Sequence, residues 1–298
     1  MNRPPVTAEA VESLIASGDV AGMVALFDRG TAQGGAKVRD LADHSRRWQL
    51  MSSRDPGPDP RAAAVEVLFA ATARAGDVAL GLHRVRMAPD VLLGPVVAAI
   101  EARSERFIQT LGRRMLASSG PRRTPWCVIR KLVRDGSIDP VEIDDDAYIR
   151  ALAFGGSDLL DDRELVDREV WRLFEVSGAL VLANVGSWIH RFGALAEASP
   201  MLRDRLLDAA LSALAVDFSP GQLRSCIKIV DALAPTDAEL SERAPVVAAL
   251  CGVPSPVRPH AIGWLERIVD HGGIEPAEAV AALDPALVAR EKKVALDA

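Results

Sequence analysis

Apolar positions recur at three- and four-residue steps along most of the chain, the pattern of helices with one buried face. A predicted helix within residues 255–271 shows it clearly, since its apolar side consists of Val257, Ala261, Trp264, Leu265 and Ile268. Residues 179–187 could form a short strand, but no alternating run elsewhere offers that strand a partner. We therefore interpret this stretch as a buried turn or a helix extension, and predict an all-α fold.

Helix signals begin close to the N-terminus. Thr7 is expected to cap a first helix that Gly18 ends, and Asp19 to cap a second. A third helix is predicted at residues 36–51. Residues 52–60 contain three prolines and a glycine and should form a loop or linker.

The middle of the chain is predicted to be helical but irregular. Its predicted helices are 61–75, 77–85, one that begins at 90, is interrupted or started by Pro95 and extends past Phe107 to Leu111, 126–134, one after Pro140, and 159–178. The last is the most charged amphipathic helix of the chain. We expect its buried side to contain Leu165, Val170, Trp171 and Phe174.

The pattern becomes regular after residue 200. The predicted helices there are 203–216, 220–233, 236–250, 256–270, 275–283 and 285–298. Arg224, Arg258 and Arg290 recur at spacings of 34 and 32 residues, each ahead of an apolar face. A two-helix unit repeating every 30 to 40 residues is typical of an α-solenoid, in which each unit buries its apolar face against its neighbours.

The sequence therefore predicts an α-solenoid of stacked antiparallel helix pairs, HEAT- or armadillo-like, and irregular in its N-terminal half. We predict N-terminal helices in 1–51, an irregular helical region in 61–200 and helical repeats in 201–298, all within one continuous solenoid. Because the last predicted helix stops without a capping residue, we expect the chain to be a fragment or a shortened member of a longer repeat protein.

Several segments resemble one known family. They are residues 159–176 (LLDDRELVDREVWRLFEV), Ser187-Trp188, 202–218 (LRDRLLDAALSALAVDF) and 233–239 (LAPTDAE). Their order resembles a family of uncharacterised, longer bacterial helical-repeat proteins, defined as a domain of unknown function, over roughly residues 140–298. The chain departs from it in having fewer residues between Phe174 and Trp188. The resemblance implies a HEAT-like solenoid and no activity, cofactor or catalytic residue.

The amino-acid composition is consistent with a helical fold and also bears on the cellular compartment. Apolar residues make up 49% of the chain but aromatic residues only 4%, few for a β-sandwich of this size. The net charge of −6 gives no general case for nucleic acid or an anionic membrane. The three cysteines suggest no disulfide framework, and the N-terminus lacks the apolar run of a signal peptide. We expect a cytoplasmic protein that does not associate with membranes.

No assembled catalytic or metal-binding motif occurs in the sequence. The five histidines lack metal-binding spacing, and no phosphate-binding glycine loop is present. Three successive acids, Asp144 to Asp146, are better explained by a helix N-terminus than by a cation. Cys226 and Cys251 are expected in the core, and Cys127 is either a structural thiol or a thiol activated by nearby arginines. We predict no cofactor, no metal and no enzymatic activity.

One concentration of charge stands out. Residues 103–134 contain nine cations and one acid, with Phe107 and Trp126 interleaved. Such a block can bind phosphate groups, and the candidate binding residues are Arg113, Arg114, Arg122, Arg123, Arg130, Lys131 and Arg134. The alternative is neutralisation by the acidic block that follows, at 135–169.

Three functions are compatible with these features. The leading hypothesis is a non-enzymatic scaffold that presents stacked helices to a protein partner. The second is anion or nucleic-acid binding through residues 103–134. An enzyme whose catalytic groups converge from distant helices is the third.

Overall fold

The computed structural model describes residues 6–27, 38, 40–42, 60–82, 89–117, 123–139, 142, 144–155, 162–182 and 185–284. The regular structure within these ranges is helical and includes no strand, which confirms the all-α prediction. None of the helices there is long and apolar enough to cross a membrane. The third predicted helix, apart from residues 38 and 40–42, and the predicted last helix, 285–298, lie outside the described residues.

The chain divides into two compact units, Met1–Gly155 and Gly156–Ala298. This division falls between Gly155 and Gly156, whereas the sequence suggested a change of pattern near residue 200. The helices of unit 1 are α1 Ala8–Ser17, α2 Val20–Leu26, α3 Pro60–Thr72, α4 Ala75–Leu82, α5 Pro89–Glu101, α6 Glu105–Ala117, α7 Arg123–Arg134 and α8 Asp145–Gly155.

Unit 1 begins as the sequence predicts. The Thr7 hydroxyl accepts the N–H of Ala10, and the Asp19 carboxylate accepts the N–H of Gly22, so both predicted caps are confirmed. Gly18 ends α1 at a φ of 68°, in the left-handed region that favours glycine. A side chain there would also collide with Pro60 at the start of α3.

The later helices of unit 1 form two rows. In one row α3 packs on α5 and α5 on α7, and in the other α4 packs on α6 and α6 on α8. Neighbours within a row run in the same direction, since side-chain bonds join like ends. Ser137, after α7, donates to Glu101 at the end of α5 over 2.7 Å. Gln109, early in α6, donates to Glu142, which lies just before α8.

One helix predicted in unit 1 is divided into two in the structure, α5 and α6. The helix expected from residue 90 to beyond Phe107 is interrupted at residues 102–104, and Pro95 lies inside α5. The Ser104 hydroxyl accepts the N–H of Phe107 over 3.4 Å, a capping contact that helps to start α6 anew. Sequence periodicity alone passed over this break, because the apolar positions stay nearly in phase on either side of it.

The helices of unit 2 are α9 Ala179–Leu182, α10 Val185–Ala198, α11 Pro200–Leu214, α12 Pro220–Leu233, α13 Asp237–Ser241, α14 Ala244–Leu250 and α15 Val257–Asp270. Residues 276–284 are also helical. The stretch 179–187 contains α9 and the start of α10, as the helix-extension interpretation predicts.

The prediction for the most charged helix is wrong in its winding. Instead of one α-helix over 159–178, Leu165–Glu169 is a π-helix and Val170–Phe174 a 3-10 helix. The four predicted core residues are buried, but so are Val166 and Leu173, and the six span a wider arc than one α-helical stripe offers. The changed winding accommodates this arc, and the Trp171 Nε1 donates to the Val166 carbonyl over 2.6 Å.

Unit 2 also consists of two rows of helices. In the first row, segment Val170–Phe174 packs on α11 and α11 on α14. In the second row, α10 packs on α12 and α12 on α15. Helices of different rows alternate in direction, since Arg203 early in α11 reaches the carbonyl of Leu233 at the end of α12. Arg258 early in α15 likewise reaches the carbonyl of Cys251 after α14.

The second row shows a regular register. Core positions recur after 34 or 35 residues, so that Phe192 of α10, Ile227 of α12 and Ala261 of α15 are equivalent and all at most 4% exposed. The flanking core residues follow the same register and are Trp188 and Leu195, Leu223 and Val230, and Val257 and Trp264. The apolar faces predicted on α12 and α15 are therefore confirmed, and Trp264 serves in packing.

The predicted helix 236–250 is divided into α13 and α14 at Arg243, whose backbone leaves the helical region. Its guanidinium donates to Asp208 over 2.7 Å and to Asp204 over 3.2 Å, both on α11. These bonds join neighbouring helices of the first row.

Thr236 forms a capping box with Glu239 at the start of α13. Replacing Thr236 with alanine removes the hydroxyl that accepts the N–H of Glu239 and should destabilise the protein by about 1 kcal/mol. Thr236→Ser keeps the hydroxyl and should behave as wild type. Urea denaturation followed by circular dichroism measures both, and equal stability of the two variants would contradict the assignment.

Candidate functional site

The cations of residues 103–134 that the structure describes do not form one surface, and Arg103 illustrates why. Its guanidinium donates to the carbonyls of Ala70 and Ala71 over 3.0 and 2.8 Å, at the end of α3. It also lies 3.8 Å from the centre of the Phe107 ring. Burial lowers the pKa of Arg103 from its ordinary value. This arginine caps a helix whose carbonyls would otherwise lack partners.

Arg130 is also an interior residue. It is 4% exposed, and its guanidinium donates to the hydroxyl of Tyr148 on α8 over 3.4 Å. A buried arginine with such a contact joins α7 to α8 and does not present its charge to a ligand. Arg130 therefore does not contribute to the binding surface that the sequence suggested.

Two further candidates have partners in the acidic block. Lys131 forms an ion pair with Asp135 over 2.8 Å, one turn later on the same surface. Arg113 donates to the carbonyl of Glu142 over 3.2 Å. The Lys131–Asp135 pair is of the kind that the alternative interpretation, local neutralisation, requires. The carbonyl of Glu142 is uncharged, so this bond holds Arg113 without neutralising its charge.

The remaining cations differ in placement. Arg106 and Arg134 are exposed, and their side chains have no hydrogen bond or ion pair with the residues that the structure describes. Arg114 is also exposed but, unlike Arg106 and Arg134, interacts with another residue. Arg122 and the side chain of Arg123 lie outside the described part of the chain.

The aromatic residues interleaved with the cations are used in packing. Trp126 is 2% exposed, and Phe107 is half-buried beneath Arg103. Neither ring offers the open face on which a nucleic-acid base would stack.

The acidic triplet has the role predicted for it. Asp144 accepts the N–H of Ala147 over 2.9 Å, and Asp145 and Asp146 occupy the first turn of α8. Acids there complement the positive end of the helix dipole. Within the described ranges, no group of three or more histidine, cysteine or acidic side chains could hold a metal ion.

A polar cluster that sequence reasoning missed lies after α12. Arg203 donates to Glu239 over 2.5 and 3.0 Å, and Arg267 donates to Asp237 over 2.8 Å. Both arginines also donate to backbone carbonyls of residues 233–235, so these four side chains hold the turn between α12 and α13. The hydrogen bond from Arg203 lowers the pKa of Glu239 to about 2. The T-x-x-E motif at Thr236–Glu239 was the available sequence signal.

The three cysteines are free thiols, two of them fully buried. Burial raises the pKa of Cys226 to about 12 and raises that of Cys251. Because the thiolate is the reactive form, these two thiols should not react with a thiol reagent at pH 8 until the protein unfolds.

Half-buried Cys127 should be modified first. Mass spectrometry of the native protein after timed exposure to a maleimide tests this order. Modification of Cys226 at the rate of Cys127 would contradict it.

Comparison with known proteins gives no match, whether with family models, curated proteins or solved structures. The family resemblance seen in residues 140–298 therefore stays a prediction.

Proposed function

We propose that the chain is an α-solenoid that acts as a non-enzymatic scaffold and presents its stacked helices to a protein partner. One observation carries this proposal, which is that successive helices in both rows of unit 2 pack on each other and follow one another by about 35 to 40 residues. In a solenoid, each repeat contacts only its neighbours, and stacking leaves long faces open for binding.

Side-chain bonds in unit 2 support the same arrangement. They join residues about one repeat apart, such as Arg203 with Glu239 at 36 residues, and Arg243 with Asp208 at 35 residues. Membership of the resembled bacterial repeat family belongs to this proposal. So does a reducing compartment such as the cytoplasm, with which the free thiols agree.

Capture of binding proteins from a cell extract tests the scaffold proposal. The immobilised 298-residue chain should retain one protein in stoichiometric amount through repeated washing. Recovery of no such partner, together with a purified hydrolase or transferase activity, would overturn it.

A second candidate function is anion or nucleic-acid binding through residues 103–134, favoured by the exposed Arg106 and Arg134. It predicts binding of single-stranded DNA that weakens steeply with salt and is lost on charge reversal at Arg113, Arg114, Arg122 and Arg123. Binding that does not depend on salt would contradict it.

A further inference from the structure

Two cations of α12 differ from the other basic residues around them. Arg203, Arg243 and Arg267 form ion pairs with carboxylates of unit 2. Arg224 and Lys228 are exposed and make no hydrogen bond or ion pair with the described part of the chain. They are one turn apart on the same face, where two like charges destabilise a helix slightly. The stability of α12 therefore does not explain them.

The neighbouring helix of the same row extends this charge. Arg258 of α15 is the register equivalent of Arg224, and its bonds go to the carbonyls of Cys251 and Gly252. Those uncharged partners leave its positive charge uncompensated, and its side chain is half-exposed. Since α12 and α15 run in the same direction, the equivalent positions lie side by side, about 10 Å apart.

Exposed apolar side chains flank these cations. Val181 is 45% exposed, and its methyl groups lie 3.5 and 3.6 Å from where a Cβ on Gly221 would be, one turn before Arg224. Ile262, the register equivalent of Lys228, is 37% exposed. We call this surface the 224/228 face, formed by Val181, Arg224, Lys228, Arg258 and Ile262.

An acidic residue limits the 224/228 face. Asp231, one turn after Lys228, lies 4.0 Å from the ring nitrogen of His260. Both side chains are partly exposed. The positive region is therefore confined to the first two-thirds of α12 and the start of α15.

We propose that the 224/228 face binds a short acidic segment of a protein partner that also carries apolar side chains. The carboxylates of the segment pair with Arg224, Lys228 and Arg258, and its apolar side chains contact Val181 and Ile262. The chain as a whole carries a net charge of −6, so an acidic segment is attracted to this local basic surface and repelled by much of the rest. This inference rests on the proposed scaffold function and specifies the chemistry of the partner.

The test uses the full chain and a fluorescent peptide with a repeated Glu-Glu-Leu sequence. Fluorescence anisotropy should show binding at low ionic strength that weakens as salt is added. The double variant Arg224→Glu/Lys228→Glu should bind the peptide about tenfold more weakly, or worse, since each attraction becomes a repulsion. The double variant Arg224→Gln/Lys228→Gln should be intermediate and guards against an effect of folding.

The matched control is Arg74→Glu/Arg168→Glu, which makes the same charge change at exposed positions outside both the 224/228 face and residues 103–134. It should leave peptide affinity within about twofold of wild type. An equal loss in both glutamate variants, no binding at low salt, or tighter binding of single-stranded DNA than of the peptide would each overturn the proposal.

Capture of a partner from cell extract distinguishes failure of the 224/228 proposal from failure of the scaffold proposal. If Arg224→Glu/Lys228→Glu retains a stoichiometric partner as well as wild type does, the 224/228 face is not the binding surface although the scaffold function stands. Loss of the partner from this variant alone supports the inference.

Discussion

Replacing Phe192 with alanine is expected to destabilise unit 2 by about 3–5 kcal/mol, the usual cost of removing a buried aromatic side chain. Phe192 is 1% exposed. Its ring lies 5.3 Å from that of Trp188 and 5.4 Å from that of Phe174, measured between ring centres. Phe174 belongs to the first row and Phe192 to the second. The cavity left by the removed ring would therefore lie between the two rows and weaken their packing.

Urea denaturation and hydrogen exchange measure this effect. Amides of α10, α11 and α12 should lose protection in Phe192→Ala. Val280→Ala serves as the control, because Val280 is 61% exposed and its truncation should change stability by less than about 0.5 kcal/mol. A loss of less than about 1 kcal/mol in Phe192→Ala would contradict the packing described.

Breaking the charged bond of Glu239 is expected to cost about 2 kcal/mol near neutral pH. Glu239→Gln is the suitable variant, because glutamine can still accept the N–H of Thr236 in the capping box. Arg203 would then lose the carboxylate that its guanidinium contacts, while it keeps its bond to the carbonyl of Leu233.

This contribution should depend on pH in a definite direction. The folded-state pKa of Glu239 is about 2, below its ordinary value of 4.5. The stabilisation is therefore complete above pH 4.5 and is lost as the pH falls from about 4.5 to about 2, since the unfolded state takes up the proton first. The difference between wild type and Glu239→Gln in urea denaturation should shrink across that window.

Glu266→Gln, at an exposed position of α15, is the control for this titration. Its stability should follow that of wild type at every pH within about 0.5 kcal/mol. A difference between wild type and Glu239→Gln that stayed constant from pH 6 to pH 2 would contradict the charged bond.

The sequence predicts the helices of this chain well where local signals and periodicity agree. The caps at Thr7 and Asp19, the helix 220–233 and the buried side of 255–271 all follow from short-range chemistry. These features depend on neighbours within one or two turns, which a single sequence displays directly.

The sequence prediction passed over one local signal and could not contain several long-range contacts. Helix 236–250 is divided because Pro245, in the first turn of α14, lacks the N–H that would continue α13. The bonds of Arg243 to Asp204 and Asp208, more than 30 residues earlier, are long-range and have no such local signal. The π and 3-10 winding at 165–174 occurs in a segment whose buried residues cover a wide arc. Likewise, the basic block looked like one surface because nothing in its sequence separates the buried Arg130 from the exposed Arg134.

The proposed solenoid requires that the helices of the second row stack in succession at a spacing near 35 residues. Glu197, Ala232 and Glu266 are equivalent exposed positions on α10, α12 and α15. Spin labels can be attached there in pairs in a Cys127→Ser background, which leaves two buried thiols. Electron paramagnetic resonance should give about 10 Å for each neighbouring pair and about twice that for positions 197 and 266. A 197–266 distance no longer than the 197–232 distance would contradict the stack and indicate a closed helical bundle.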